Sequence, residues 1–183
     1  MIFESILIIG FAITLDLIFG DPRNKYHPTA WIGNFIGNLV PIFKNENAHF
    51  EKFGGIIIVL ISTATVGALL LLLNLKLDSI IGNEILTIII SIIVGAILLK
   101  TTIAIRGMEK HALRIVDALE NDNIDEARTN LAMITKRKTK DLDKNHVLSG
   151  ALESISENTV DGITGPLFYF ALFGLPGAFV YRV

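Results

Sequence analysis

Long uncharged runs alternate with charge-rich stretches along this chain, and the length of each run decides what it can be. The hydrocarbon core of a bilayer is about 30 Å thick, a distance an α-helix crosses in roughly 20 apolar residues. Residues 54–75 carry no charge, and residues 85–105 carry only Lys100, near enough to the end of the run to snorkel toward the headgroups. Both are predicted spans. Residues 2–19 are apolar apart from Glu4, Thr14 and Asp16, and they lack the basic leader and small-residue cleavage site of a signal peptide, so they read as a first, retained span. Residues 163–181 are uncharged but include Gly165, Pro166, Gly174, Pro176 and Gly177. A helix there is irregular or re-entrant, because the backbone groups that proline frees need protein partners inside a membrane.

The intervening polar stretches set the expected orientation. Region 20–53 holds four Lys or Arg and region 106–162 holds nine, whereas the short connector near residues 76–84 has Lys76 alone. The positive-inside rule places both regions in the cytoplasm and the amino terminus outside, in three crossings of the cell membrane. Region 106–162 is itself predicted helical. Met108 to Leu119 sets Ile115, Val116 and Leu119 opposite Glu109, Lys110, Arg114 and Asp117, and Asn121-Asp122-Asn123 ends that helix. A second helix runs from Ile124 to about Ile134. A third runs from Leu142 to Asn158 with Leu148, Leu152 and Ile155 as its apolar positions.

Composition agrees with this pattern. Of 183 residues, 51% are hydrophobic and 19% charged, with a mean hydropathy of +0.57, too apolar for an ordinary soluble domain. The fold class is therefore all-α: one polytopic membrane domain over residues 1–183 with a cytoplasmic helical subdomain. A formal net charge of -2 argues against nucleic acid as a partner. The absence of cysteine excludes thiolate metal sites and a Cys nucleophile, leaving the chemistry to Asp, Glu, His, Asn, Arg and Lys.

Three constellations could carry chemistry. Glu153, Glu157 and Asp161 fall at i, i+4 and i+8, one face of a continuous helix, where their mutual repulsion calls either for solvent or for a divalent cation such as Mg²⁺. Ser154 and Asn158 flank them. The loop after the first span carries Asp21, Arg23, Lys25 and His27 among the turn-forming pairs Asp21-Pro22 and His27-Pro28, and Asp16 lies within the span itself, where ionisable groups face a protein interior or a wet cavity. Lys136, Arg137, Lys138, Lys140 and Lys144 form a basic tract suited to anionic headgroups, within which Arg137 can grip two phosphate oxygens at once. His49, His111 and His146 have no partner at metal-ligand spacing and read as surface residues. No phosphate-binding P-loop, dinucleotide fingerprint, zincin or nucleophile-elbow motif is present.

Taken together, GDPRNKYHPTAWIG, Arg137-Lys138-Thr139, ALESISENTVDGITGPLFYF and the terminal GLPGAFVYRV resemble, in order and spacing, the CobD/CbiB family, adenosylcobinamide-phosphate synthases of cobalamin biosynthesis. Many members have Gly-Arg-Asp-Thr where this chain has Lys136-Arg137-Lys138-Thr139. Members also continue beyond Tyr-Arg with an Asn-Thr-Leu-Asp element and further membrane segments, so the resemblance implies a partial chain, expected to be inactive alone. It further implies an integral membrane carbon–nitrogen ligase that joins the propionate carboxyl of the corrinoid adenosylcobyric acid to aminopropanol or its phosphate, with ATP as co-substrate and Mg²⁺. On that resemblance Glu157 and Asp161 bind Mg²⁺, Glu153 deprotonates the amine, and Asp21, Arg23, His27, Arg137, Thr139 and Asn158 bind substrate. A complex with other late-pathway membrane enzymes is compatible with it. The alternative is a small-solute carrier or accessory membrane subunit working through Asp16 and the broken last span. The sequence shows no inverted repeat, which disfavours the carrier.

Overall fold

A computed structural model describes residues 2–22 and 24–183, leaving aside the side chains of Asn24 and Asp78. Among the described residues there is no strand. Eight α-helices follow one another: α1 (Ile2–Phe19), α2 (Pro28–Phe43), α3 (Ala48–Ile81), α4 (Glu84–Lys100), α5 (Ile105–Glu120), α6 (Ile124–Ala132), α7 (Lys144–Thr159) and α8 (Gly165–Tyr181). A five-residue π-helical turn, Val160–Thr164, joins the last two. Four stretches are long and apolar enough to cross a membrane: Ile2–Phe19, Ala48–Ile81, Glu84–Glu120 and Lys144–Tyr181. The protein is an all-α polytopic membrane protein.

Local chemistry explains where these helices begin and end. Asn47, Asn83, Asn123 and Asp143 cap α3, α4, α6 and α7 by accepting an amide proton from the first turn. Asn123 and Glu126 close a reciprocal box, with the Asn123 amide donating to Glu126 Oε2 at 2.8 Å. Gly20 ends α1 at φ +64°, a left-handed conformation that would strain a larger residue. Pro28 opens α2 at the position where its missing N–H costs nothing.

Helix α2 departs from the charge-based reading of region 20–53 as a polar stretch. Pro28–Phe43 contains no charged residue, and the helix doubles back against the first half of α3: a Cβ on Gly54 would come within 2.8 Å of Phe43, so glycine there permits the close approach. The charges of that region cluster at the two turns instead. Past the break at residues 20–27, Pro28, Trp31 and Ile32 border the same apolar cavity as Val66 and Leu70, so the break stands level with the middle of α3.

A first core joins the long helices through Ala12, Val66, Leu99, Ile103, Phe170, Ala178 and Phe179. Small residues let α1 and α4 approach, with Gly95 packed under Ile8. A second core, of Ile115, Leu119, Ala127, Leu131, Val147 and Ala151, holds α5, α6 and α7 together. Its stripe on α7 is Val147, Ala151 and Ser154. The expected positions Leu148 and Leu152 are 46% and 61% exposed, as is Val116 at 41%. The helix face is thus rotated by about one residue from the reading that follows the largest side chains, because small side chains fit where α5 and α7 meet.

Helix α8 reverses on itself. At Gly174 the backbone takes φ +65°, ψ -156°, a combination that only glycine adopts readily. The arms 165–173 and 175–181 then pack face to face. Tyr169 stacks on Tyr181 at 5.0 Å between ring centroids, Tyr181 lies against the Cα of Gly165, and Gly177 against the carbonyl of Tyr169. A straight helix would separate residues 165 and 181 by about 24 Å. The segment is a helical hairpin whose end returns to its beginning.

A polar junction between the break, the π-turn and the helical subdomain

Asp16, one turn from the end of α1, is fully buried. Its Oδ2 accepts the backbone N–H of Arg106 at 3.0 Å. Its Oδ1 has no hydrogen-bond partner and faces Lys100 Nζ at 3.8 Å. Lys100 does not snorkel outward as its position at the end of α4 suggested. It is 7% exposed, donates to the Gly20 carbonyl, and lies 3.9 Å from Asp21 Oδ1. Burial of a charge is tolerable only with partners of this kind, and two carboxylates plus a carbonyl supply them. The Arg106 guanidinium donates to the carbonyls of Leu17 and Ile18, satisfying the open end of α1.

Asp21 and His27 extend the cluster. His27 Nε2 lies 4.0 Å from Asp21 Oδ1, and its Nδ1 shares a 2.6 Å hydrogen bond with Thr29 Oγ1. Burial pushes the Asp21 carboxyl above the usual carboxylate range, with the nearby Lys100 ammonium opposing it only in part. Burial also holds His27 below the ordinary imidazole value, and Asp21 opposes that shift. Gly107 makes this approach possible, since a Cβ there would stand 2.6 Å from Asp21 Oδ2.

The string around residues 157–162 reaches the same place through the π-turn. The Ala104 amide donates to the Gly162 carbonyl at 3.1 Å, tying the end of α4 to that turn. The Tyr181 hydroxyl donates to Asp161 Oδ1 at 3.2 Å, and Arg182 donates to the Asp161 carbonyl at 3.2 Å. Arg182 also acts electrostatically on both Asp21 and His27. Turns of π-helix frequently mark functional sites. This one also interrupts the α-helical register after Thr159, just before Asp161.

Of the residues singled out from the sequence, Asp21, His27, Asn158 and Asp161 are thereby gathered around one junction. Arg137 and Glu153 are not. Arg137 grips Glu153 through two hydrogen bonds of 2.6 and 2.5 Å, which raises the guanidinium above even its ordinary value. Expected to serve phosphate and amine respectively, the two side chains face each other. Thr139 is 6% exposed, with its carbonyl accepting the Leu142 amide, and it shapes its loop from within. Arg23 lies outside the described residues.

Mg²⁺ is the metal expected from the carboxylate string, and the residues present fit it at a two-carboxylate level. Among the described residues no three His, Asp or Glu side chains gather to hold an ion. Glu157 is exposed and makes no ion pair among the described residues, and Asp161 has one oxygen engaged by Tyr181. One or two carboxylates completed by water and phosphate oxygens is the coordination Mg²⁺ ordinarily takes beside nucleotides.

Sequence reasoning missed His111, taken as a surface residue. It is half-buried in the wall of a cavity of about 290 Å³ that Asp21 and Asn158 also line, and its Nδ1 has no hydrogen-bond partner. The available signal was its position one turn after Gly107 on the strongly amphipathic α5. Arg182, the last charged residue before the terminus, carried no signal except its string.

A family profile described as CobD/Cbib protein matches residues 9–183. Among curated proteins, the "Probable cobalamin biosynthesis protein CobD" of Thermoplasma volcanium is 36% identical over 97% of this chain and 55% of its own length. The protein of the same name from Methanothermobacter thermautotrophicus is 35% identical over 98% of this chain and 55% of its own. The "Cobalamin biosynthesis protein CobD" of Dehalococcoides mccartyi is 35% identical over 98% and 56%. The chain thus spans about half the length of the curated relatives it matches. No solved structure matches it.

Proposed function

The chain belongs to the CobD/CbiB family of cobalamin biosynthesis proteins, and from that premise we propose that it supplies the reacting centre of an ATP-dependent ligase acting on a corrinoid. The reaction joins the propionate carboxyl of adenosylcobyric acid to the amine of aminopropanol or its phosphate. A carboxylate is a poor acyl donor. Transfer of the ATP γ-phosphoryl group to it gives an acyl phosphate and ADP, and attack by the amine releases phosphate, forms the amide and sheds one proton. Catalysis of such a sequence is chiefly a matter of positioning and charge neutralisation.

The observation that carries this reading is the convergence of two distant strings, residues 20–28 and 157–162, on one polar junction bounded by Lys100, Arg182 and the carboxylates of Asp21 and Asp161. Glu157 and Asp161 are the residues that would hold Mg²⁺, which when bound neutralises charge on nucleotide phosphate oxygens. Arg182 and His27 offer donors to an anionic group, and Tyr181 fixes the Asp161 carboxylate. The helical hairpin of α8 and the buried Asp16–Lys100 pair keep these groups in place. The polar regions are assigned to the cytoplasm, where ATP is found.

The test is amide formation by membranes carrying these residues within a full-length family protein, supplied with adenosylcobyric acid, ATP, Mg²⁺ and either aminopropanol or its phosphate, read by mass spectrometry of the corrinoid product. ATP-dependent gain of the aminopropanol mass supports the reading. Absence of that product under conditions where the folded protein is verified overturns it.

A further inference from the structure

The cavity beside the junction has a definite chemical character. Its volume is about 290 Å³, at the lower limit of ordinary ligand sites, so it suits a molecule of a few heavy atoms and not a macrocycle. Met108, Ile134 and Ile155 give it an apolar floor, and among the described residues no Lys or Arg lines it. Two of its polar groups offer acceptors. Asp21 contributes a carboxylate. Asn158 spends its amide N–H on the Ser154 carbonyl at 2.7 Å, which leaves its side-chain oxygen as the group with capacity to spare. His111 forms part of the wall, and its enclosed Nδ1 has no hydrogen-bond partner among the described residues. Lys100 and His27 stand against Asp21 Oδ1, and Oδ2 is the oxygen beside Gly107 on the cavity wall. A short aliphatic ammonium would find acceptors at one end and methyl-lined walls at the other.

The geometry points to a primary-amine subsite formed by Asp21, His111 and Asn158, in which the ammonium of a small amino alcohol is held and oriented before reaction. His111 is a binding residue that the sequence did not assign. Gly107 belongs to the same device, since the missing Cβ admits the Asp21 carboxylate to the cavity wall. The cavity also borders Ala104, whose amide is bonded to Gly162, so a bound amine lies beside the turn that carries Asp161. Burial raises the Asp21 carboxyl with Lys100 opposing it only in part, and a second ammonium at Oδ2 would offset more of that cost. This inference deepens the ligase reading and rests on it for the identity of the amine.

The experiment measures binding without turnover. Purified protein in detergent is titrated with 1-aminopropan-2-ol, and separately with propane-1,2-diol, which has the same skeleton with a hydroxyl in place of the amine. The amine is expected to bind at least about tenfold more tightly than the diol, the scale of a charge-assisted hydrogen bond. Asp21→Asn and His111→Gln are each expected to weaken amine binding about tenfold or more, while Glu109→Gln, on an exposed face of the same helix, leaves it unchanged. Gly107→Ala, which displaces the Asp21 carboxylate, stands in if Asp21→Asn fails to fold. Equal binding of amine and diol, or undiminished amine binding in the Asp21, Gly107 and His111 variants that fold, overturns the subsite. Because neither ATP nor corrinoid is present, amine binding without amide formation would overturn the ligase reading alone. Amide formation with an unaltered amine KM in these variants would overturn the subsite alone.

Discussion

Lys100 Nζ stands 3.8 Å from Asp16 Oδ1, with the lysine side chain 9% exposed and the aspartate wholly enclosed. The two residues lie on neighbouring helices, α1 and α4, at the ends nearest the break. Removing Lys100 strands Asp16 as an uncompensated buried charge, a change that typically costs about 3–5 kcal/mol, and removing Asp16 leaves Lys100 with Asp21 as its remaining carboxylate. Lys100→Met is therefore expected to lower thermal stability in detergent sharply, and Asp16→Asn to lower it less. The double variant should recover much of the loss, since two neutral side chains no longer require each other. Additive losses would show that the pair is not a coupled latch.

Asp21 and His27 titrate in opposite senses, and the signs give a pH test. Burial lowers His27, so its contribution to stability is fully present above the ordinary imidazole value, about 6.5, and is lost as pH falls through its lower folded value. Burial raises Asp21, so its contribution is present below the ordinary carboxylate value, about 3.9, and is lost as pH rises through the raised one. At neutral pH an ionised Asp21 therefore costs stability despite Lys100. Asp21→Asn should melt no lower than the unaltered protein at pH 7, and His27→Gln should flatten the loss of stability between pH 6.5 and more acidic values. A steep drop for Asp21→Asn at pH 7 would mean that its ion pairs outweigh its burial.

How far the sequence foretold this arrangement differs between the spans and the site. Apolar runs of adequate length with few charges mark α1, α3 and α4 because a bilayer punishes charge more than it punishes any local misfit. Helix α2 was obscured because it is shorter than a span and flanked by charges, so that counting charge over residues 20–53 merged it with its turns. On α7 the large side chains Leu148 and Leu152 drew attention from the small ones that the core uses. The site was legible in part. Asp21, His27, Asn158 and Asp161 announced themselves as polar residues beside membrane segments, and the structure gathers them. Whether Lys100 turns inward or outward, whether Arg137 meets a ligand or Glu153, and whether His111 faces solvent are decided by tertiary packing, which spacing along the chain does not contain.

The hairpin of α8 allows a direct test, because the protein has no cysteine of its own. Cysteines placed at Leu167 and Val180, one on each arm, should cross-link with a short bifunctional maleimide in membranes. In a straight helix their Cα atoms would be about 20 Å apart and beyond the reach of the shortest reagents. Gly174→Ala should reduce both the cross-linking yield and the stability, at a cost of about 1–3 kcal/mol for a side chain forced into that conformation. Efficient cross-linking only with long reagents would indicate a continuous helix.

The final prediction separates the carboxylates that the sequence grouped together. Glu153 is held by Arg137 at 2.5 and 2.6 Å, on the subdomain surface and in a pair of the kind that salt screens and water solvates. Asp161 sits on the π-turn with Tyr181 and Arg182, and Glu157 lies between the two with no ion pair among the described residues. If ligation requires Mg²⁺ at Glu157 and Asp161, then Asp161→Asn and Glu157→Gln should each cut kcat by about 100-fold or more, consistent with losing charge that organises a phosphoryl group, and excess Mg²⁺ should rescue the weaker of them in part. Glu153→Gln should cost less than tenfold, and its effect should disappear against an Arg137→Gln background because the two residues act as a pair. The measurement is amide formation as a function of Mg²⁺ concentration in the four single variants and the Glu153/Arg137 double variant. A loss at Glu153 equal to that at Asp161, undiminished in the double variant, would return Glu153 to the reacting centre and show that its bond to Arg137 opens during turnover.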